Sequence, residues 1–153
     1  MQSENFATRK SIGLKAGEMV SSCVATRVRL INRAISSLFD DALREHGIKI
    51  SQVNLLVIIY KLGDAKSSDV CNIMKMDSST LSRNMERMKK KGWLDTKSQD
   101  GVRAHTLSLT EAGEELLEKV YPSWKAAQRQ AVQILDVEGV DAIFKISSRV
   151  WAK

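Results

Sequence analysis

Between residues 18 and 45 apolar side chains recur at Val20, Val24, Val28, Ile31, Ile35, Leu38 and Ala42, with Cys23, Phe39 and Leu43 on the flanks. Steps of three and four residues predict one long amphipathic helix, ended by Gly47. Ser51 then stands as a cap before a nearly continuous apolar run over 53–62, too uniformly apolar for a surface helix. That run predicts the buried helix of a domain, stopped by Gly63.

Two shorter patterns follow. Ser67 or Ser68 can cap a helix with Val70, Ile73 and Met74 on one face, and Met76-Asp77 forms the turn before the next helix. There Asp77 or Ser78 supplies the cap, while Leu81, Met85 and Met88, at i, i+4 and i+7, form the stripe to be buried. The opposite side carries Ser79, Arg83, Glu86, Arg87 and Lys90, with Ser78, Thr80 and Ser82 near the exposed first turns. Two short helices at this spacing match a helix-turn-helix. Gly92 closes the second, and residues 93–97 and 104–109 read as two strands joined through an Asp100-Gly101 pair, which tolerates the positive φ of a tight turn.

Thr110 caps the last long segment. Leu117, Val120, Trp124, Ala127, Ala131 and Ile134 alternate steps of three and four there, close to a 3.5-residue seam. Pro122, the only proline, interrupts this helix and marks a place for a kink. Asp136 or Glu138 opens a final helix with Val140, Ile143, Phe144, Ile146, Val150 and Trp151 available for burial. A helical seam outside a small winged domain needs a cover, and the long first helix, its own or that of a second copy, is the natural one.

Composition changes this picture mainly through charge. The 153 residues, 43% apolar, suffice for a real core. The net charge is +6, and its distribution matters more than its size. Residues 83–103 hold seven cations (Arg83, Arg87, Lys89, Lys90, Lys91, Lys97, Arg103) against three acids (Glu86, Asp95, Asp100), so +4 of the +6 lies in this short stretch. A hydroxyl-rich helix followed by a basic hairpin suits one element in a DNA major groove and another beside it. Cys23 and Cys71 lie far apart in apolar helical patterns, which suggests neither a disulfide framework nor a zinc site and fits a reducing cytoplasm. The first seventeen residues lack the apolar centre of a signal peptide, and no stretch approaches the roughly 18 apolar residues of a membrane span. No Gly-rich phosphate loop, nucleophile elbow or paired catalytic carboxylate is present, and His46 and His105 are isolated, so no enzyme activity, cofactor or metal is expected.

Met76-Asp77-Ser78-Ser79-Thr80-Leu81-Ser82-Arg83-Asn84, then Lys91-Gly92-Trp93-Leu94, then Leu107-Ser108-Leu109-Thr110-Glu111-Ala112-Gly113 resemble the MarR family of winged-helix transcriptional regulators over roughly residues 19–150. These runs are similar to its recognition helix, its lysine-glycine step into the wing, and its return strand and helix start. Arg103 keeps the family's spacing to Thr110, but Asp100 stands one residue too far from Arg103, as in a wing lengthened by one residue. The resemblance implies a mainly α fold with a small β-hairpin wing. Residues 1–17 would form an arm, flexible or extending the dimer contact, 18–46 a dimerisation helix, 47–112 the winged helix-turn-helix DNA-binding domain and 113–153 C-terminal dimerisation helices. It also implies a homodimer, double-stranded DNA as partner, and a small ligand or oxidant acting between the DNA-binding and dimer parts.

The candidate DNA-binding residues are Ser78, Ser79, Thr80, Ser82, Arg83, Arg87, Lys90, Lys97 and Arg103. The plainer reading of the serines and threonine is helix capping and surface, and of the lysines a solvated helix end; the basic hairpin downstream tips both toward DNA. Arg103, at the hairpin tip, is the candidate for the minor groove. Cys23 reads first as a small buried hydrophobe and second as a redox sensor, with Arg27 one turn on to favour the thiolate. Cys71 reads as packing. Trp93, Trp124 and Trp151 read as core, Trp124 alone lying near the seam where a ligand pocket could form. The rival function is a sequence-indifferent architectural or interaction protein using the same basic face.

Overall fold

The computed structural model describes residues 2–98 and 105–151. In chain order they form α1 (Gln2–Ser22), α2 (Val24–Ala42), a 3-10 turn (Arg44–His46), α3 (Ile50–Leu62), β1 (Ala65–Lys66), α4 (Ser67–Met74), α5 (Ser78–Lys90), β2 (Leu94–Ser98), β3 (His105–Leu109) and α6 (Glu111–Trp151). The chain divides into two compact units, Met1–Ser37 and Leu38–Lys153.

In the first unit, residues 1–17, for which the sequence offered a flexible arm or an extended dimer contact, run within α1 from Gln2. The expected single helix over 18–45 is instead split at Cys23. Ser21 and Ser22 explain the break: both hydroxyls donate back to the Glu18 carbonyl, at 3.2 and 2.7 Å, and so compete with the helical ladder. The Cys23 carbonyl accepts from the Arg27 amide and begins the next helix. Val24, Val28, Leu30 and Ile31 of α2 stay exposed, which the apolar pattern alone did not anticipate.

The second unit holds the core. Leu43, Leu55, Leu56, Ile59, Val70, Leu81, Met88, Leu107 and Val120 are all nearly or fully buried. Helix α3 supplies the centre through Val53, Leu55, Leu56 and Ile59, yet it is not buried all round as its composition suggested, since Val57, Tyr60 and Leu62 remain exposed. Its cap is Lys49 and not Ser51. The Lys49 amide donates to the Gln52 side chain, and the Ile50 amide donates to the Asp40 carboxylate at 2.8 Å, which occupies two of the orphan donors of the helix start. Helix α4 likewise begins after Lys66, with no side-chain cap from Ser67 or Ser68.

The expected two-stranded hairpin is part of a three-stranded antiparallel sheet, ordered β1-β3-β2. Ala65 pairs with Leu107 and Lys66 with Thr106, while β2 and β3 pair from Leu94 with Leu109 to Ser98 with His105. Strand β1 spans only two residues, too short for alternation to reveal.

Thr110 caps α6 as expected, accepting from the Gly113 amide at 3.1 Å and donating to the Gly92 carbonyl. Gly113 has a separate role: an added Cβ would stand 2.1 Å from the Trp93 carbonyl oxygen, so the start of α6 is pressed against the backbone that enters β2. The helix runs through Pro122 and breaks at Asp136, whose φ of 54° is left-handed. The Asp136 carboxylate accepts from the Gly139 amide at 2.8 Å, the cap expected for the final helical segment. Past the break, Val137, Phe144, Ile146 and Val150 are exposed. Among the described residues no helix is long and apolar enough to cross a membrane.

Candidate nucleic-acid interface

Helix α5 is fixed from beneath and at both ends. Leu81 and Met88 are buried and Met85 packs against the core, so the three residues of the predicted stripe fasten the helix to α4 and the sheet. At its C-terminus the Gly92 amide donates to Lys89 and the Trp93 amide to Met88, with Gly92 at φ 74°, the paired bonds of a Schellman end. At its N-terminus Asp77 is the cap. Its carboxylate accepts the Thr80 amide at 2.8 Å, the Thr80 hydroxyl at 2.7 Å and the Ser79 hydroxyl. These donors, Ser79 first and Thr80 next, hold the Asp77 carboxyl well below the usual carboxylate range.

The face turned away from the core carries the expected residues. Ser78, Ser79, Ser82, Arg83, Arg87 and Lys90 are exposed, and Thr80 is half-buried. Arg83 lies back along the helix, its Nε 3.3 Å from the Ser79 carbonyl and its Nη2 3.2 Å from the Ser79 hydroxyl oxygen. Asn84, not singled out in the sequence, donates to the Thr80 carbonyl at 2.9 Å and stiffens the same turn.

The three consecutive lysines separate by role. Lys91 donates to the Gly47 carbonyl at 2.6 Å and lies 4.5 Å from the centre of the Trp93 ring, a cation–π contact. Lys89 donates to the Thr96 hydroxyl and ties α5 to β2. Lys90 has no such protein partner among the described residues. Lys97, on β2 opposite Thr106, borders a cleft with Asp64, Asp95 and Glu114, which sets it apart from the basic face of α5. Arg103 and Asp100 lie outside the described residues.

Away from this face, α3 and α6 enclose an open, mainly apolar cavity of about 690 Å³, lined by Val53, Val57, Lys61, Leu117, Tyr121 and Trp124. Trp124 stacks near Tyr121 at 6.1 Å between ring centres and meets Phe39 at 6.3 Å. Nearby, Ser123 bridges His46 and Glu45 at 3.1 and 3.2 Å. Cys71 is half-buried and packs on the core. Cys23 is half-exposed at the α1–α2 break, and its thiol is drawn below the ordinary value chiefly by the Thr26 side chain, with Arg27 the smallest contributor. Among the described residues no group of three or more His, Cys, Asp or Glu could hold a metal ion.

A helix-turn-helix backed by a three-stranded sheet defines a winged helix-turn-helix domain. Residues 46–104 match the MarR family model. An uncharacterized HTH-type transcriptional regulator, YkoM of Bacillus subtilis, is 28% identical over 101 residues, covering 61% of this chain and 64% of its own length. The chain spans 64%, 61% and 60% of the curated relatives it matches. A probable transcriptional regulator from Pseudomonas aeruginosa superposes with a TM-score of 0.77 at 21% identity, over 86% of this chain and 98% of that one. A cysteine-to-serine variant of MarR from E. coli complexed with operator DNA superposes with a TM-score of 0.76 at 16% identity, over 87% and 96%. Over residues 46–104 the chain is thus similar to the MarR family, and its fold is that of a winged-helix protein.

Proposed function

We propose that this protein is a cytoplasmic transcriptional regulator that binds double-stranded DNA sequence-specifically as a homodimer and represses by covering a promoter. The observation that carries the reading is α5, with its apolar stripe locked into the core and Ser78, Ser79, Ser82, Arg83, Arg87 and Lys90 all exposed on the remaining surface. Arginine can donate bidentately to guanine or to phosphate, and hydroxyls can reach base edges. Exposed apolar residues on α2 and past Asp136 support the homodimer, because single-chain packing leaves them in water. Two-fold symmetry then sets the recognition helices about 34 Å apart on a pseudo-palindromic operator. Lys97 and Arg103 are carried as wing contacts.

The test is fluorescence anisotropy at near-physiological salt, on DNA upstream of the protein's own gene and on random duplex. A preference of roughly 10³ or more is expected. A ratio near one on several neighbouring promoters would instead favour the sequence-indifferent architectural reading.

The cavity between α3 and α6 supports a small apolar effector, its size falling within the range of small-molecule sites, about 300–1,000 Å³. A second control is favoured by the half-exposed Cys23 with its lowered pKa: oxidation there would weaken DNA binding. Cys23→Ser would abolish a peroxide response and spare binding in the reduced state; peroxide-indifferent binding by the wild type would remove this reading.

A further inference from the structure

The cap of α5 constrains what its first turn can say to DNA. Asp77 is an ionised carboxylate and can only accept, so every bond it makes fixes where a proton lies. Ser79 and Thr80 each own one hydroxyl proton, and both protons point at Asp77. Ser79 also accepts from Arg83 Nη2. What remains on these two hydroxyls is lone pairs alone. Ser78 and Ser82 differ: among the described residues neither hydroxyl is engaged, so each can turn to donate or accept.

In the major groove, guanine presents N7 and O6 and thymine O4 as acceptors, while cytosine N4 and adenine N6 present amino donors; phosphate oxygens only accept. A hydroxyl whose proton is committed elsewhere can bond neither phosphate nor the guanine and thymine acceptors. Building on the DNA-binding reading above, we propose that Asp77 is a specificity-determining residue. It fixes Ser79, and with it the half-buried Thr80, as obligate acceptors that read an exocyclic amino group, cytosine N4 or adenine N6. The Asp77 carboxyl, held low by the same hydroxyls, stays charged at neutral pH and keeps the arrangement in place. Arg83 retains its Nη1 donors for guanine or phosphate, so one turn of α5 offers an acceptor and a donor of fixed order.

Asp77→Ala tests this because it removes the acceptor of both hydroxyl protons, that of Ser79 at Oδ1 and that of Thr80 at Oδ2, and leaves them free to turn outward. Wild type, Asp77→Ala and Ser79→Ala would each be used, as the full chain, to select from a random duplex library, with preferences read at every position. The wild type is expected to favour an amino-bearing base at one position per half-site. Ser79→Ala should flatten that preference, and Asp77→Ala should shift it toward guanine or thymine by roughly tenfold. Unchanged preferences in folded Asp77→Ala would overturn the proposal. If that variant does not fold, Ser79→Ala decides: an affinity loss uniform across sequences marks a phosphate contact and overturns it equally. A wild type without any sequence preference fails the underlying reading itself, and the proposal with it.

Discussion

The apolar stripe of α2 and the apolar stripes of α3 and α5 use the same residue types at the same helical steps, yet they end in opposite surroundings. Leu56 and Ile59 are 0% exposed, while Val24 and Val28 are 74% and 60% exposed. Periodicity decides that a segment is a helix with one apolar side; what covers that side depends on what else is present. The winged part is covered by its own chain. Val24 and Val28 of α2 are exposed, and this is the physical content of proposing a dimer seam there.

The strongest way to break the comparison is to cut into each stripe alike. Leu56→Ala should cost about 2–5 kcal/mol by urea melts at any protein concentration. Val28→Ala should cost little in a monomer and should act instead on a concentration-dependent dimer equilibrium, read by sedimentation. If both variants lower the melt equally in dilute protein, the distinction between a covered and an uncovered stripe falls.

Gly113→Ala comes next. The methyl would meet backbone, not a yielding side chain, and overpacking of this kind costs about 1–3 kcal/mol. Chemical denaturation measures the loss, and a neutral result would mean that the α6 start can slide off Trp93. Arg83→Ala should leave the melt in place and weaken operator binding by roughly tenfold or more, since a good arginine pairing with guanine is worth about 1–3 kcal/mol.

Finer still is the contrast between neighbouring lysines. Lys90→Met should reduce the log-log salt slope of DNA binding by about 0.9 per protomer. Lys91→Met should lower the melting temperature and leave that slope, because Lys91 is spent on Gly47 and Trp93. The smallest effect is acidic. Asp77 has a folded-state pKa below its ordinary 3.8, so its contribution to stability is complete above that value and fades as pH falls below it toward the depressed native value. Melts of the wild type and Asp77→Asn should therefore converge as pH drops below about 4; a constant difference would remove the cap from this role.

Much of the winged part was legible because local signals agreed there. The stripe of Leu81, Met85 and Met88, the stop at Gly92 and the caps at Asp77 and Thr110 each follow from chemistry within a few residues. Strand β1 was hidden because Ala65 and Lys66 become a strand only by meeting Leu107 and Thr106, far along the chain. The cap of α3 was misplaced for a similar reason: the carboxylate at that helix start comes from Asp40, not from a residue beside it. The break at Cys23 is invisible in apolar spacing because it arises from the Ser21 and Ser22 hydroxyls, which compete for the Glu18 carbonyl. In the site, the exposed face of α5 could be read from the wheel, whereas the division of labour among Lys89, Lys90 and Lys91 depends on what each ammonium reaches in space.

The contact between Gly113 and the Trp93 carbonyl has a mechanical meaning. It is a fulcrum, set two residues beyond the C-cap of α5, and from it α6 runs as a stiff rod of about 35 Å to the break at Asp136. With no methyl as a spacer and only backbone on the opposite side, the joint has no slack. A tilt of a few degrees at the fulcrum sweeps the far end through about 2–3 Å. In the proposed dimer, a small adjustment at the distant end of the rod would be geared into a change of pitch of the groove-facing helix, through an arm whose ratio is fixed by a missing side chain.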